Sequence, residues 1–201
     1  LLSLLAKEAE RRERMAAMVI DVKCAFLYGR TKRNVYIWLP EEDAKGRQGY
    51  MGKLDKAMYG TRDAPQVWQE EVRKTMNNLG FKECITQPGI YYHPKRGIRV
   101  VSHVDDFLCV GAEEELLWFR DNLSKLYDIK AKMFNKSNPE VVFLGRKVIW
   151  TDEGLDVEAD DKHVRVLSSG WGQEDCKPCD TPIGGEAAEI NQRGGMCKGE
   201  A

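Results

Sequence analysis

The chain of 201 residues is 42% hydrophobic and 31% charged, enough apolar material for one well-packed domain with a small appendage. Its 31 basic and 32 acidic residues nearly cancel, which excludes a strongly basic nucleic-acid binder and leaves that role to local patches. No apolar run approaches the roughly 20 residues that span a bilayer, and Leu1-Leu2-Ser3-Leu4-Leu5-Ala6 is too short, and lacks the basic flank, for a signal peptide.

In chain order, the apolar face of Leu1, Leu2, Leu5 and Ala9 predicts a helix over residues 1–17, continued by the solvated Arg11, Arg12, Glu13 and Arg14. Met18-Val19-Ile20 leads as a strand into Asp21, and a second strand, Val35 to Leu39, stops at Pro40. The polar stretch 41–52 predicts an exposed loop. A helix then starts at Asp63, with Gln66 completing a capping-box pattern and Pro65 in the first turn. Trp68, Val72, Met76 and Leu79 mark its buried face, and Gly80 its left-handed stop.

Strands are predicted at Gly89–His93 and Ile98–Val104 about a Pro94–Gly97 turn, and Phe107–Val110 returns from a hairpin tipped by Asp105-Asp106. A helix begins near Glu113, its three glutamates suiting the positive end of the helix dipole, with Leu116, Phe119, Leu123 and Leu126 buried. Strands at Val141–Trp150 and Gly154–Val157 form a further hairpin, and a short helix covers Asp161–Ser169. This order suits an α+β sheet with helices on one face. From Thr181 onward the paired glycines and scarce apolar residues predict a disordered tail, residues 183–201.

Asp21, Asp105 and Asp106 interrupt apolar, strand-like runs. Burying a carboxylate costs several kcal/mol (roughly 3–5 for an unpaired charge) unless something positive compensates it, and two adjacent carboxylates repel each other. The arrangement points to Mg²⁺, which takes one or two carboxylates plus substrate phosphates, and so to phosphoryl transfer. If the strand ending at Asp21 lies beside the hairpin, three carboxylates converge at one sheet edge and could hold two metal ions. Taken singly, Asp21 also suits a capping position, Asp105-Asp106 a tight turn, and Phe26 an ordinary core site.

The segment Asp21-Val22-Lys23-Cys24-Ala25-Phe26-Leu27-Tyr28-Gly29 resembles the Asp-Val-Lys-x-Ala-Phe-Leu-x-Gly segment of copia-type (Pseudoviridae) LTR-retrotransposon reverse transcriptases. The resemblance continues through Val35-Tyr36-Ile37, Leu39-Pro40, Leu54-x-Lys56-x-Met58-Tyr59-Gly60, Ala64-Pro65-x-x-Trp68, Leu79-Gly80-Phe81 and the Val104-Asp105-Asp106 hairpin. Phe143-Leu144-Gly145 and Cys176-Lys177-Pro178-x-x-Thr181-Pro182 extend it, so ordered motifs cover residues 1 to about 182.

This resemblance implies a polymerase palm, a split βαβ, ferredoxin-like antiparallel sheet with helices on one face, with partial fingers and the start of the connection or thumb. It implies a palm with partial fingers over residues 1–160 and the thumb or connection start over 161–182. The implied activity is RNA-directed DNA synthesis by two-metal nucleotidyl transfer, with Mg²⁺ or alternatively Mn²⁺ held by Asp21, Asp105, Asp106 and the main-chain carbonyl of Val22. Phe26 matches the aromatic gate against a ribose 2′-hydroxyl, and Tyr59 and Gly60 match the segment lining the nucleotide. His103, standing where the family commonly has Tyr, and Phe143, Leu144 and Gly145 match primer-binding positions. Asp63 stands where the family often has Gln.

The implied partners are an RNA or DNA template with its primer, a deoxynucleoside triphosphate and the other Pol domains, RNase H and integrase. The implied setting is a cytoplasmic virus-like particle and the nucleus, with no membrane. A chain that opens at Leu1 within a periodic segment is expected to be part of a longer Pol polyprotein, with a basic fingers segment before it and RNase H after it. Two further readings carry different functions: a degenerate or domesticated element that binds nucleic acid or protein without polymerising, and a metal-dependent cyclase or nuclease on a similar sheet.

Six cysteines, Cys24, Cys84, Cys109, Cys176, Cys179 and Cys197, form no disulfide framework and read as reduced thiols. Cys176-x-x-Cys179 has the spacing of half a zinc site, with His163 and Cys197 as candidate partners but no second paired motif. Trp38, Trp68, Trp118 and Trp150 sit in periodic segments and are expected in the core rather than as base-stacking platforms. Lys53, Lys56 and Arg62 could follow a phosphate backbone or simply form a solvated face.

Overall fold

A computed structural model describes residues 2–3, 5–6, 15–40, 42, 49–159 and 161–172. The expectations for residues 7–14, the interior of the 41–52 loop, the 173–201 tail and the Cys176, Cys179 and Cys197 thiols lie outside these, as does the side chain of His163. The chain divides into two compact units, residues 1–159 and 160–201. In the second, the predicted short helix is α3, Asp161–Gly170.

The first unit is built on a six-stranded sheet whose strands lie in the order Lys82–Glu83, Ile90–Tyr92, Arg99–His103, Asp106–Ala112, Met15–Val22 and Ile129–Phe134. Its strands are β1 (Met15–Val22), β4 (Lys82–Glu83), β5 (Ile90–Tyr92), β6 (Arg99–His103), β7 (Asp106–Ala112) and β8 (Ile129–Phe134), and every pairing is antiparallel. A three-stranded sheet joins β9 (Glu140–Phe143), β10 (Arg146–Trp150) and β11 (Leu155–Ala159), and a two-stranded ribbon joins β2 (Tyr36–Trp38) and β3 (Met51–Lys53). Among the described residues no helix is long and apolar enough to cross a membrane.

β1 explains the arrangement. Successive strand side chains alternate between faces. Ala16, Met18, Ile20 and Val22 enter a core that also holds Trp68, Val72 and Met76 of α1 (Ala64–Asn78) and Leu116, Phe119 and Leu123 of α2 (Glu113–Ser124). Both helices therefore cover one face, as an α+β palm requires. Met15 and Ala17 enter a second core with Leu108, Val110, Phe134, Val141 and Val148. Apolar burial on both faces lets β1 pair with two neighbours and keeps it extended from Met15, three residues before the predicted start at Met18. Tertiary pairing thus overrides the helical periodicity of residues 15–17.

Other boundaries differ for equally local reasons. Leu144 and Gly145 both take positive φ, 49° and 70°, and split the predicted Val141–Trp150 strand into β9 and β10. Leu126 lies past the end of α2 and is 51% exposed. β3, β4 and β8 arise where no strand was expected; β3 lies partly in the predicted loop. Trp68 is buried and Trp118 and Trp150 are partly buried, whereas Trp38 is 67% exposed, contrary to its expected core role.

α1 starts where predicted, but not through a capping box. Asp63 occupies the cap position without a side-chain cap bond, because Arg33 holds its carboxylate; Gln66 instead donates to Glu70. Gly80, at φ 89°, follows the helix as expected.

Arg73 of α1 donates to Glu83 of β4 through Nε at 2.5 Å and Nη2 at 3.3 Å, joining helix to sheet edge. This hydrogen bond holds the Glu83 carboxyl below its ordinary value against the opposing effect of burial. A depressed carboxyl stabilises the fold above its ordinary pKa and loses that contribution as pH falls through the depressed one. Glu83→Gln should therefore make urea midpoints fall less steeply with acid between about pH 5 and 3. An unchanged acid slope would show the ion pair to be energetically silent.

Candidate active site

Strand register assembles the site. Asp21 pairs with Asp106 across β1 and β7, His103 with Asp106 across β6 and β7, and Asp21 with Lys130 across β1 and β8. Directly opposed residues of antiparallel strands share a face, so His103, Asp106, Asp21 and Lys130 form a row across four strands. Alternation along β1 and β7 puts this row on the face away from α1 and α2. Lys130 was missed because the alternation Ile129-Lys130-Ala131-Lys132-Met133-Phe134, a strand signal, was not recognised in the sequence.

Asp105 reaches this row from the turn. The Val22 amide donates to the Asp105 carbonyl at 2.9 Å, which ties the hairpin tip to the end of β1. The tip proper is Val104-Asp105; Asp106 already belongs to β7. Val104 takes φ 56°, a left-handed conformation that strains a β-branched residue. The Trp68 indole Nε1–H donates to the Val104 carbonyl at 2.5 Å.

Burial first, then the charges of Asp105 and Asp21, push the Asp106 carboxyl up, with His103 pulling the other way. A carboxyl raised by folding stabilises the fold only below its ordinary pKa, and the contribution is lost as pH rises through the raised value. At neutral pH Asp106 therefore opposes folding. Asp106→Asn should raise the Tm by a few degrees, at about 2–4 °C per kcal/mol relieved. A lower Tm for Asp106→Asn would contradict the repulsion.

The donor set has the chemistry of a hard divalent ion: oxygen ligands only, two of them on opposed strand positions and one on the adjoining turn. Among the described residues no three His, Cys, Asp or Glu side chains are gathered closely enough to hold a metal by themselves. Asp21, Asp105 and Asp106 thus stand close enough to act on one another electrostatically without forming a closed ligand set.

Beside the carboxylates stands an aromatic wall. Cys24, at φ 52°, turns the chain out of β1 into a 3-10 turn, Ala25–Tyr28, which buries Phe26. The Phe26 and Tyr59 rings lie 4.5 Å apart at 41°. Burial, then the Asp105 charge, pushes the Tyr59 hydroxyl up, so this wall borders the carboxylates electrostatically as well. Gly60, at φ 88°, continues the wall in a backbone conformation that favours glycine. Tyr28 accepts a 2.8 Å hydrogen bond from the Asp128 amide, and Lys23 donates to the Asp128 carboxylate, anchoring the turn to the approach to β8.

Of the predicted primer-side residues, His103 is in the row itself. Phe143 packs against the second core, and Leu144 and Gly145 form the β9–β10 turn. Lys53 and Lys56 line a cavity of about 550 Å³ with Arg30, Lys32 and Arg33; Arg62 is not among its lining residues.

The sequence pattern of the family described as reverse transcriptase (RNA-dependent DNA polymerase) matches residues 1–185. The chain belongs to that family. Within it, this reverse transcriptase domain resembles the retrovirus-related Pol polyprotein from transposon TNT 1-94 of Nicotiana tabacum, 26% identical over 194 residues covering 89% of this chain and 14% of that protein. It also resembles the Pol polyprotein from transposon RE1 of Arabidopsis thaliana, 33% identical over 115 residues covering 55% of this chain and 8% of that protein. The chain thus spans a small part of the curated relatives it matches. Among solved structures, telomerase from Candida albicans in complex with a TWJ fragment of telomeric RNA gives a TM-score of 0.49 at 12% identity, covering 87% of this chain and 37% of that chain.

Proposed function

We propose that this reverse transcriptase domain is the palm of an RNA-directed DNA polymerase of a copia-type element, joining deoxynucleotides to a primer 3′-hydroxyl with release of pyrophosphate. The observation that carries the reading is the opposition of Asp21 and Asp106 across β1 and β7, with Asp105 tied to the same strand end. Asp21, Asp105 and Asp106 would hold two divalent ions, Mg²⁺ or Mn²⁺, with the Val22 carbonyl as a further oxygen donor. When bound, such ions supply the positive charge that acidifies an attacking hydroxyl and offsets the charge growing on the leaving oxygens.

The protein's own groups orient the reactants. Phe26 gives the sugar pocket a floor with no room for a 2′-hydroxyl, and Tyr59 with Gly60 lines the base and sugar. Lys130, opposite Asp21 in register, brings a cation to the phosphate side of the row. His103 and the Phe143-Leu144-Gly145 turn hold the primer end, and the basic cavity around Lys53 and Lys56 offers cations to a nucleic-acid backbone.

The domain assignments follow the same reading: palm with partial fingers over 1–160, thumb or connection start over 161–182, tail beyond. The relatives are Pol polyproteins of transposons, which supports further Pol domains beside this one; in this reading they are RNase H and integrase, and the domain works on a template with primer. The setting that goes with this proposal is a cytoplasmic virus-like particle and the nucleus. The test is Mg²⁺-dependent extension of oligo(dT) on poly(rA) by the protein. Extension supports the proposal; template–primer binding without extension would favour a non-polymerising binding module instead.

A further inference from the structure

We propose that Trp68 is a positioning residue for the carboxylate hairpin, its indole N–H clamping the strained turn that presents Asp105 and Asp106. The proposal rests on the polymerase reading of that hairpin and adds a residue to it. Val104 occupies a left-handed conformation that β-branched residues avoid, so the turn needs a partner that favours this state over relaxed alternatives. The Trp68 Nε1–H supplies one by donating to the Val104 carbonyl.

The donor is itself held in place. The Trp68 ring, 1% exposed, lies 5.3 Å from Tyr127 and 6.2 Å from Tyr28, and the Tyr127 hydroxyl is 2.6 Å from Thr75 Oγ1. Tyr28 follows Asp21 in the chain and bonds the Asp128 amide. One aromatic cluster therefore fixes the indole relative both to the turn after β1 and to the hairpin. The clamped carbonyl sits between the Val104 side chain, 46% exposed, and Asp105, whose own carbonyl is held by Val22. The tip is held by α1 through the indole and by the neighbouring strand end through Val22. Trp68 and Val104 both line a cavity of about 290 Å³, so water can reach the carbonyl once the indole is gone, and losing the bond alters the conformation of the turn more than the stability of the fold.

Trp68→Phe keeps an aromatic ring and removes the donor. Val104→Gly removes the strain, because glycine takes positive φ without a steric penalty. The clamp therefore predicts a dependence between the two sites that packing alone does not. In hydrogen–deuterium exchange of the intact chain, the peptide spanning residues 103–106 should speed up in Trp68→Phe about tenfold more than the β1 and α2 peptides, which report the shared loss of core packing. In the Val104→Gly background the same substitution should change it by less than about threefold. Tyr127→Phe, which loses the bond to Thr75 but keeps the ring that packs on Trp68, should leave the hairpin unchanged.

In primer extension, Trp68→Phe should lower kcat by about 10- to 100-fold with the KM for nucleotide within about threefold, since displaced catalytic groups act on the transition state more than on binding. Unaltered hairpin exchange in Trp68→Phe, or an equal effect in both Val104 backgrounds, would overturn the clamp. Failure of the wild-type protein to extend would overturn the polymerase reading, while the exchange data would still decide the clamp.

Discussion

Asp105→Asn should reduce templated nucleotide incorporation by about 10³-fold while leaving template–primer affinity within about threefold. The substitution keeps the shape of the side chain and removes one charge at the hairpin tip, where Asp105, Asp106 and Asp21 already repel one another. The free protein should therefore fold at least as well as the parent. Binding to template and primer draws on many cations and apolar contacts, so it is insensitive to one tip carboxylate. The loss belongs in kcat, because the missing charge matters where charge develops during transfer. Equal extension by parent and variant would remove Asp105 from the chemistry.

Phe26→Val should lower discrimination against ribonucleotides by about 100-fold. The Phe26 ring, 9% exposed, is part of the main core yet meets the Tyr59 ring in a tilted contact at the border of the carboxylates. Replacing it opens a space on the sugar side that a 2′-hydroxyl can fill. The measured quantity is the ratio of kcat/KM for a deoxynucleotide to that for the matching ribonucleotide. The variant should keep most deoxynucleotide activity, with a fold destabilised by about 1–3 kcal/mol from the lost burial. If deoxynucleotide use falls and the ratio holds, Phe26 is core only, as its burial alone would suggest.

How far this site was legible beforehand depended on how each residue earns its place. Asp21, Asp105 and Asp106 were visible because charge inside an apolar strand is costly and so conspicuous. Their convergence was an expectation until register opposed Asp21 to Asp106. Lys130 was hidden by an unrecognised strand, although its segment alternates in the required way. Trp68 was read from its spacing as a core residue, which it is; nothing in helical periodicity announces that its N–H also leaves the core to meet a turn carbonyl.

The helices α1 and α2 were legible because a helix face repeats locally, and the sheet was less so because strand limits are set by partners distant in the chain. β1 begins at Met15 through pairing with β7, and β9 parts from β10 through two left-handed residues. The predicted capping box at Asp63 failed for a related reason. Arg33, thirty residues away, competes for the same carboxylate and wins.

The central claim is that the row formed by Asp21 and Asp106, with Asp105 at its edge, is a divalent-metal centre for polymerisation. Diffraction at the manganese absorption edge, from crystals of the protein grown with Mn²⁺, template–primer and an incoming deoxynucleotide, tests it directly. Anomalous density is expected between the Asp21 and Asp106 carboxylates, with the nucleotide phosphates completing the coordination and the sugar against Phe26. Ordered nucleotide and template with no anomalous density between those carboxylates, or density at another site, would contradict it.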